Sequence, residues 1–309
     1  MICVHRSSCS WRHFFLLFLL ASGILGCVAT AAISYHIARK FVGRYQPTPS
    51  QQAIIQDRRE WLEQQGAQLV HFLTADDLLL EGLLMCRPHA RYTIIACHGY
   101  HRTKEDCWRI AKIFNDATIL FFDFRAHGQS QGDIVSIGWH ERNDVQAAVK
   151  FVRNCAECTT SPIVGIGFSM GAAALIGAAA QGVHFDAIIA DSSFDNLAEQ
   201  IGRVFTLLTG LPHFPFFWLS KKMFSYSVGT SMEKIDVVAW AKEVKIPTLV
   251  IHSSHDDFTP SICSQKLYAT LAGPKKIWLS EDASHACAIK EHPEDYKKQV
   301  ENFLETLSL

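Results

Sequence analysis

Along most of this chain, apolar residues come in short solid runs separated by longer segments in which they recur every third or fourth position. Solid runs read as strands covered on both faces, and the spaced pattern reads as helices with one face on a sheet. Gln68 to Leu73 and Leu78 to Met85 flank Thr74-Ala75-Asp76-Asp77, which predicts an antiparallel hairpin. Tyr92 to Cys97 predicts a strand, and Ile119 to Phe122 another. Between them, Lys104 to Asn115 carries Trp108, Ile110, Ile113 and Phe114 at helical spacing. Glu141 to Arg153 places Val145, Ala148, Val149 and Val152 on one helical face. Pro162 to Ile166 (strand), Gly171 to Ala180 (a helix of small residues) and Ala187 to Ala190 (strand) follow. The alternation resumes later with strands at Thr248 to His252 and Lys276 to Leu279, and helices at Ser264 to Leu271 and Asp295 to Leu307. Strands and helices at this spacing imply the α/β class, with a mostly parallel central sheet and helices on both faces.

Two stretches break the pattern. From Asn196 to Glu243 the alternation lapses into Phe205, Leu207, Leu208, Phe214, Phe216, Phe217, Trp218 and Leu219, interrupted by Pro212 and Pro215. Such an insertion between strands reads as a helical cap over the site, with its aromatics offered to an apolar substrate or packed on the domain. Phe14 to Tyr35 is uncharged and mostly apolar, with Arg6 and Arg12 before it and Arg39, Lys40 and Arg44 after it. At about 1.5 Å per residue this run is long enough to cross a bilayer core of roughly 30 Å. The rival reading is a cleaved secretory signal, for which Ala29-Thr30-Ala31 has the small-x-small form. The run exceeds the usual length of a signal core, so a retained anchor is the expectation. The polar Gly43 to Asp57 stretch reads as a linker. The expected organisation is therefore a tail (1–13), an anchor (14–35), a linker (36–60), a first core segment (61–195), the cap (196–243) and a second core segment (244–309).

Composition narrows the function classes. With 29 Lys and Arg against 30 Asp and Glu, and no basic stripe interleaved with aromatics, a nucleic-acid partner is not expected. Cys86, Cys97, Cys107, Cys155, Cys158, Cys263 and Cys287 lie beyond the apolar run at irregular spacing, which argues against a disulfide framework. Cys155-x-x-Cys158 lacks a second ligand pair and reads as a loop pair rather than half a zinc site.

The chemistry concentrates at Gly167-Phe168-Ser169-Met170-Gly171, between the 162–166 strand and the helix of small residues. Gly-x-Ser-x-Gly at a strand-to-helix turn is the nucleophile elbow, which lifts the serine hydroxyl clear of the sheet. A serine hydroxyl needs a base, and the base needs a third group to fix its tautomer. In this architecture they follow in the order serine, acid, histidine. Ser280 to His285 follows the last strand and supplies His285 as base. His252 to Pro260 follows the strand before it and supplies Asp256 as acid, with Asp257 and Asp191 as the alternatives. His252 and His255 read as loop-fixing residues. The developing oxyanion needs two N–H donors, for which Met170 and Tyr100 are the candidates. Gly99 is expected to let the loop bend back towards the serine, and His98 to brace it.

Taken together, these residues closely resemble the α/β-hydrolase superfamily. The marks are His98-Gly99-Tyr100, Asp123 to Gly132, Gly167 to Gly171, Ile251 to Pro260, and Ser284-His285. The nearest resemblance is to capped, serine-aminopeptidase-like or esterase-like members, including bacterial hydrolases with an N-terminal anchor. It implies the α/β-hydrolase fold with Ser169, Asp256 and His285 as the triad. Three positions depart from the family pattern: Ala126, Ser253 and Ser284 stand where glycine is usual. The expected activity is hydrolysis of a carboxylic ester or thioester through an acyl-Ser169 intermediate, on a small acyl substrate, with a lipid-derived one suggested by cap and tether. No metal or organic cofactor is required by that chemistry. A peptidase on the same fold is the second expectation, and an inactive membrane-tethered scaffold the third.

Overall fold

In the computed structural model, the residues described are 8–155, 158 and 161–309, with side chains from residue 13 onward. Helix α1 (Ser8–Val42) is continuous and changes character part-way. Its apolar residues from Phe14 to Val28 are exposed, whereas Ser34, Ile37, Ala38 and Val42 are buried. That second group recurs every three or four residues, one helical stripe set against a partner. Helix α2 (Pro49–Gln64) follows, closed at its start by a reciprocal capping box between Thr48 and Gln51. The 36–60 stretch expected to be a linker therefore holds the end of one helix and most of another. The reason is packing: α2 lays Leu62 into the core and stacks Trp61 edge-on against Trp108 at 5.3 Å.

The eight strands are β1 (Gln68–Leu73), β2 (Leu79–Met85), β3 (Thr93–Cys97), β4 (Thr118–Phe122), β5 (Ile163–Phe168), β6 (Ala187–Asp191), β7 (Thr248–Ser253) and β8 (Lys275–Ser280). They form one sheet in the order β1-β2-β4-β3-β5-β6-β7-β8. Strand β2 pairs antiparallel with both β1 and β4, and every other pairing is parallel. This is the mostly parallel α/β sheet implied by the sequence. Residues of β3, β4, β5 and β6 are buried throughout, which explains their unbroken apolar runs.

Helices α3 (Arg109–Ile113), α4 (Glu141–Asn154), α5 (Met170–Ala180), α6 (Leu197–Thr209), α7 (Trp218–Val228), α8 (Val237–Ala241), α9 (Ile262–Thr270), α10 (Ala288–Glu291) and α11 (Pro293–Glu305) complete the chain. The single helix expected from Lys104 to Asn115 divides into a 3₁₀ turn (Lys104–Cys107) and α3. Asp123 accounts for the tight turn, because it holds both the Lys104 amide at 2.8 Å and the Lys104 ammonium at 2.6 Å. Residues 196–243 form α6, a π-helical turn (His213–Phe217), α7, a 3₁₀ turn (Met232–Lys234) and α8. Helix α7 packs along the second half of α1, where Ser220 Oγ donates to the Ser34 carbonyl at 3.2 Å. Cys155 and Cys158 share one turn after α4, the Cys158 amide donating to the Cys155 carbonyl at 2.9 Å.

Candidate active site

Chain order runs from β3 to β4 in one direction across the sheet and then returns past β3 to β5. The loops leaving β3 and β5 therefore diverge at the sheet's carboxyl edge and open a crevice, the usual ligand position in such sheets. Ser169 stands at that edge with φ 52° and ψ −112°, a strained conformation for a residue with a side chain. The neighbouring glycines are needed for space. A Cβ on Gly171 would lie 2.3 Å from the Cys97 carbonyl oxygen, and one on Gly167 would lie 2.6 Å from the Gly171 carbonyl carbon. The elbow thus presses directly on the end of β3, bringing the His98–Tyr100 loop beside Ser169.

Ser169 Oγ lies 2.9 Å from His285 Nε2, and His285 Nδ1 lies 2.6 Å from Asp256 Oδ2. Asp256 Oδ1 accepts the amides of Phe258 and Thr259 at 2.9 and 2.8 Å. Burial alone would raise the Asp256 pKa, but bonds from His252, His285 and the Thr259 amide outweigh it and hold the carboxyl well below its ordinary value. His252 is buried between Ser264 Oγ (2.6 Å), the Thr259 carbonyl (2.7 Å) and Asp256 (3.2 Å), so it braces the acid loop. His255 is exposed and faces Asp282 at 3.3 Å.

The alternative acids lie elsewhere. Asp257 is exposed. Asp191 is fully buried at the end of β6, where its carbonyl accepts the Ser169 amide and its carboxylate accepts Ser192 Oγ at 2.8 Å. Burial pushes its pKa up to about 6, against the Ser192 hydrogen bond. Ser192 Oγ in turn accepts the Ala286 amide at 3.2 Å, which ties the histidine loop to the strand beneath it.

The β3 loop is fixed from below and from the side. His98 accepts the Phe124 amide at Nε2 (3.0 Å), which leaves Nδ1–H to donate to the Gly99 carbonyl at 2.8 Å. Burial lowers its pKa to about 4, so it braces as a neutral ring. Gly99 has no positive φ, and a Cβ there would meet only ordinary contacts; the left-handed turn falls on His101 at φ 51°. Tyr100 donates its hydroxyl to the Phe41 carbonyl of α1 at 2.9 Å and stacks on His101, whose ring centroid lies 3.8 Å away. Met170 is the first residue of α5, where amide groups have no acceptor within the helix. Met170 directly follows Ser169, and Tyr100 follows Gly99, where an added Cβ would lie 3.7 Å from Ser169 Cβ.

Beneath this loop, Asp123 is buried against Lys104, whose ammonium also meets Glu81 and Glu105 at 3.0 and 3.1 Å. A Cβ on Gly128 would lie 2.0 Å from Asp123 Oδ2, so the 123–132 loop closes over this carboxylate. Arg125 grips Asp144 and Asp76 from two sides. Of the three departures from the family pattern, only Ala126 takes a left-handed backbone, at φ 57°. Ser253 and Ser284 do not, so neither strains its loop.

A cavity of about 490 Å³ opens beside Ser169 and His285. Its walls come from the β3 loop, Phe168, Phe258 and Ile289, and from Arg58, Arg102, Asp106, Arg109 and Lys290. None of its lining residues belongs to 196–243, so of the two uses expected for that insertion's aromatics, substrate contact and packing on the domain, this cavity does not use the first. Two of those aromatics are packed together, Phe205 and Phe217 lying 5.0 Å apart and both buried, whereas Phe214 and Trp218 are exposed away from this cavity. Sequence reasoning missed the four cations because they sit on α2, the β3 loop, α3 and α10, with no periodicity linking them.

A sheet of this topology, with a serine elbow at its switch point, defines the α/β-hydrolase fold. The family model for the alpha/beta hydrolase family matches residues 94–299, and the chain belongs to that family. It is similar to the uncharacterized protein YqkD of Bacillus subtilis, at 29% identity over 70% of this chain and 72% of the relative. It is also similar to the uncharacterized protein YfhR of Escherichia coli O157:H7, at 26% identity over 77% of this chain and 81% of that one. Among solved structures, an esterase of Pyrococcus furiosus superposes with a TM-score of 0.63 at 25% identity, covering 79% of this chain and 93% of its own. An acylaminoacyl peptidase of Pyrococcus horikoshii shares the fold at 19% identity and a TM-score of 0.59, covering 78% of this chain and 41% of its own.

Proposed function

We propose that this hydrolase cleaves carboxylic esters or thioesters through an acyl-Ser169 intermediate. The reading rests above all on the unbroken hydrogen-bonded series from Ser169 Oγ through His285 to Asp256. His285 Nε2 takes the hydroxyl proton as Oγ attacks the acyl carbon, and Asp256 holds the Nδ1–H side of the imidazolium. The Tyr100 and Met170 amides receive the developing oxyanion. His285 then passes its proton to the leaving oxygen or sulfur. Water, deprotonated by the same nitrogen, releases the acid and restores Ser169. The first proton transfer starts from groups already within hydrogen-bond reach, Ser169 Oγ and His285 Nε2, and no cofactor is called for.

A peptidase that recognises a substrate's free amine needs a carboxylate in the pocket. The one carboxylate lining this cavity, Asp106, already binds Arg58, so the ester reading is the better supported. The tether reading rests on α1: its exposed apolar half runs without a break into a half packed on the domain. Cleavage after Ala31 would leave the packed half in place, so the docking of Ser34 to Val42 serves either a retained or a processed chain. We favour retention, with Phe214 and Trp218, exposed near Ser220 where α1 leaves the domain, resting at the bilayer surface.

The test is labelling with a fluorophosphonate probe, followed by mapping of the modified residue and assay on short-chain p-nitrophenyl esters. Labelling at Ser169, and a fall in kcat of about 10⁴–10⁶ for Ser169→Ala, is the expected result. Folded protein whose Ser169 stays unlabelled would instead favour the inactive scaffold.

A further inference from the structure

The walls of the Ser169 cavity carry a charge pattern that ester hydrolysis alone does not require. Arg58 and Arg109 are half-buried in the wall, and Arg102 and Lys290 are exposed at its rim. Against these four cations stands one carboxylate, Asp106, which is taken up by Arg58 and the Thr103 amide. Arg102, Arg109 and Lys290 have no carboxylate within ion-pair distance among the described residues. Arg109 lies over the Trp108 ring at 4.9 Å instead. The excess is local, because the chain as a whole is balanced at a net charge of −1. The four side chains come from four separate segments, so no single basic run explains their meeting.

Clustered like charges repel, and burial together with neighbouring Arg58 lowers the pKa of Arg109. An arrangement that raises the free energy of the empty pocket becomes favourable once an anion enters it. Guanidinium groups match the planar, two-oxygen face of a carboxylate or phosphate, and a partly desolvated wall strengthens that attraction. A cavity of about 490 Å³ has room for such a group together with a short acyl or alcohol portion.

Building on the hydrolase reading, we infer that the substrate is an anionic ester, one bearing a carboxylate or phosphate that Arg58, Arg102, Arg109 and Lys290 hold while Ser169 attacks the acyl carbon. The anion binds intact, and the bond that breaks is the ester bond already described. Two sources of the charge are separable by assay: a carboxylate on the acyl half, as in a dicarboxylic monoester, or a phosphate on the alcohol half, as in a lysophosphatidate.

The full-length protein in neutral detergent at low salt is assayed on mono-p-nitrophenyl glutarate against p-nitrophenyl pentanoate, with spontaneous hydrolysis subtracted. In parallel it is assayed on lysophosphatidate against the monoacylglycerol of the same chain. In at least one pair the anionic member should lead by about tenfold or more in kcat/KM. That lead should shrink several-fold by 0.5 M NaCl, and Arg102→Gln and Arg109→Gln should each cut it about three- to tenfold. A lead in the first pair places the charge on the acyl half, and a lead in the second places it on the alcohol half. Neutral esters turned over as fast as both anionic ones, or variants that slow both members of a pair equally, overturn the inference while the hydrolase reading stands. Equilibrium binding of glutarate and glycerol phosphate to Ser169→Ala protein tests the anion site without chemistry. Binding of neither overturns it, and binding that Arg109→Gln weakens supports it even if no ester is cleaved.

Discussion

Asp256 and Asp191 are both buried carboxyls at the ends of neighbouring strands, yet their surroundings differ in kind. Asp256 accepts two amides and faces two histidines, so its charge is held in place. Asp256→Asn would turn its amide oxygen to the Phe258 and Thr259 N–H groups and its NH₂ to His285, enforcing the wrong tautomer. The expected outcome is a loss of about 10⁴ in kcat on a p-nitrophenyl ester, with an unchanged circular dichroism spectrum. Asp191 has weaker compensation: Oδ1 accepts only Ser192 Oγ, and Oδ2 has no hydrogen-bond partner among the described groups. Its pKa is raised to about 6 by burial, against about 3.9 for an unfolded aspartate. The folded state therefore holds this proton more tightly. Stability from this group is full below about pH 4 and is lost as pH rises through about 6. Asp191→Asn should thus gain in Tm over the natural protein between those values and keep the gain above them. A Tm difference that is the same at pH 4.5 and pH 7.5 would contradict the assignment.

At the scale of elements, the elbow between β5 and α5 and the end of β3 form one steric unit. Gly171→Ala forces a methyl into the Cys97 and His98 carbonyl oxygens, which are backbone and have nowhere to go. The expected cost is at least about 3 kcal/mol, read as a lower Tm, together with a loss of the proposed ester hydrolysis as the β3 loop is pushed from Ser169. Gly99→Ala, one loop away, meets contacts of 3.5 Å or longer and should be far milder. Such differences were not legible in the chain, where all the glycines of a motif look alike. Helix α2 was equally hard to read. Its polar composition suggests a linker, and only the capping box at Thr48 and Gln51, with Pro49 at the first helical position, signals a helix start.

For the whole molecule, the decisive contact is between α1 and the domain. Ile37, Ala38 and Val42 are buried there, Tyr100 donates to the Phe41 carbonyl, and Arg44 donates to carbonyls of Gly128, Ser130 and Gly132. The same short stretch joins α1 to the β3 loop and the 123–132 loop. Removing residues 1–32 should leave activity on a water-soluble ester within about threefold, because none of the described side chains lost is buried. Removing residues 1–42 also strips two or three buried aliphatic side chains. That should cost about 3–6 kcal/mol and lower both Tm and the rate on the same ester. Equal Tm values for the two truncations would show that the docking contributes nothing. The tether itself is checked by alkaline extraction: a spanning α1 keeps the chain with the membrane pellet.

From sequence alone came the strand and helix rhythm, the serine elbow, and the candidates at residues 256 and 285. These were legible because buried strands need unbroken apolar runs, and because a strand-to-helix turn of that sharpness demands glycines around a serine. The sequence already favoured Asp256 over Asp191 and Asp257, but the physical ground for it, the contact with His285, is visible only in the tertiary structure. The same holds for the 196–243 insertion, whose aromatics suit a substrate or a packing partner equally well until α1 is seen lying against α7. It holds most of all for the cations around the cavity. Charge carries no periodicity, so four basic residues on four segments become a site only when the fold brings them to one wall.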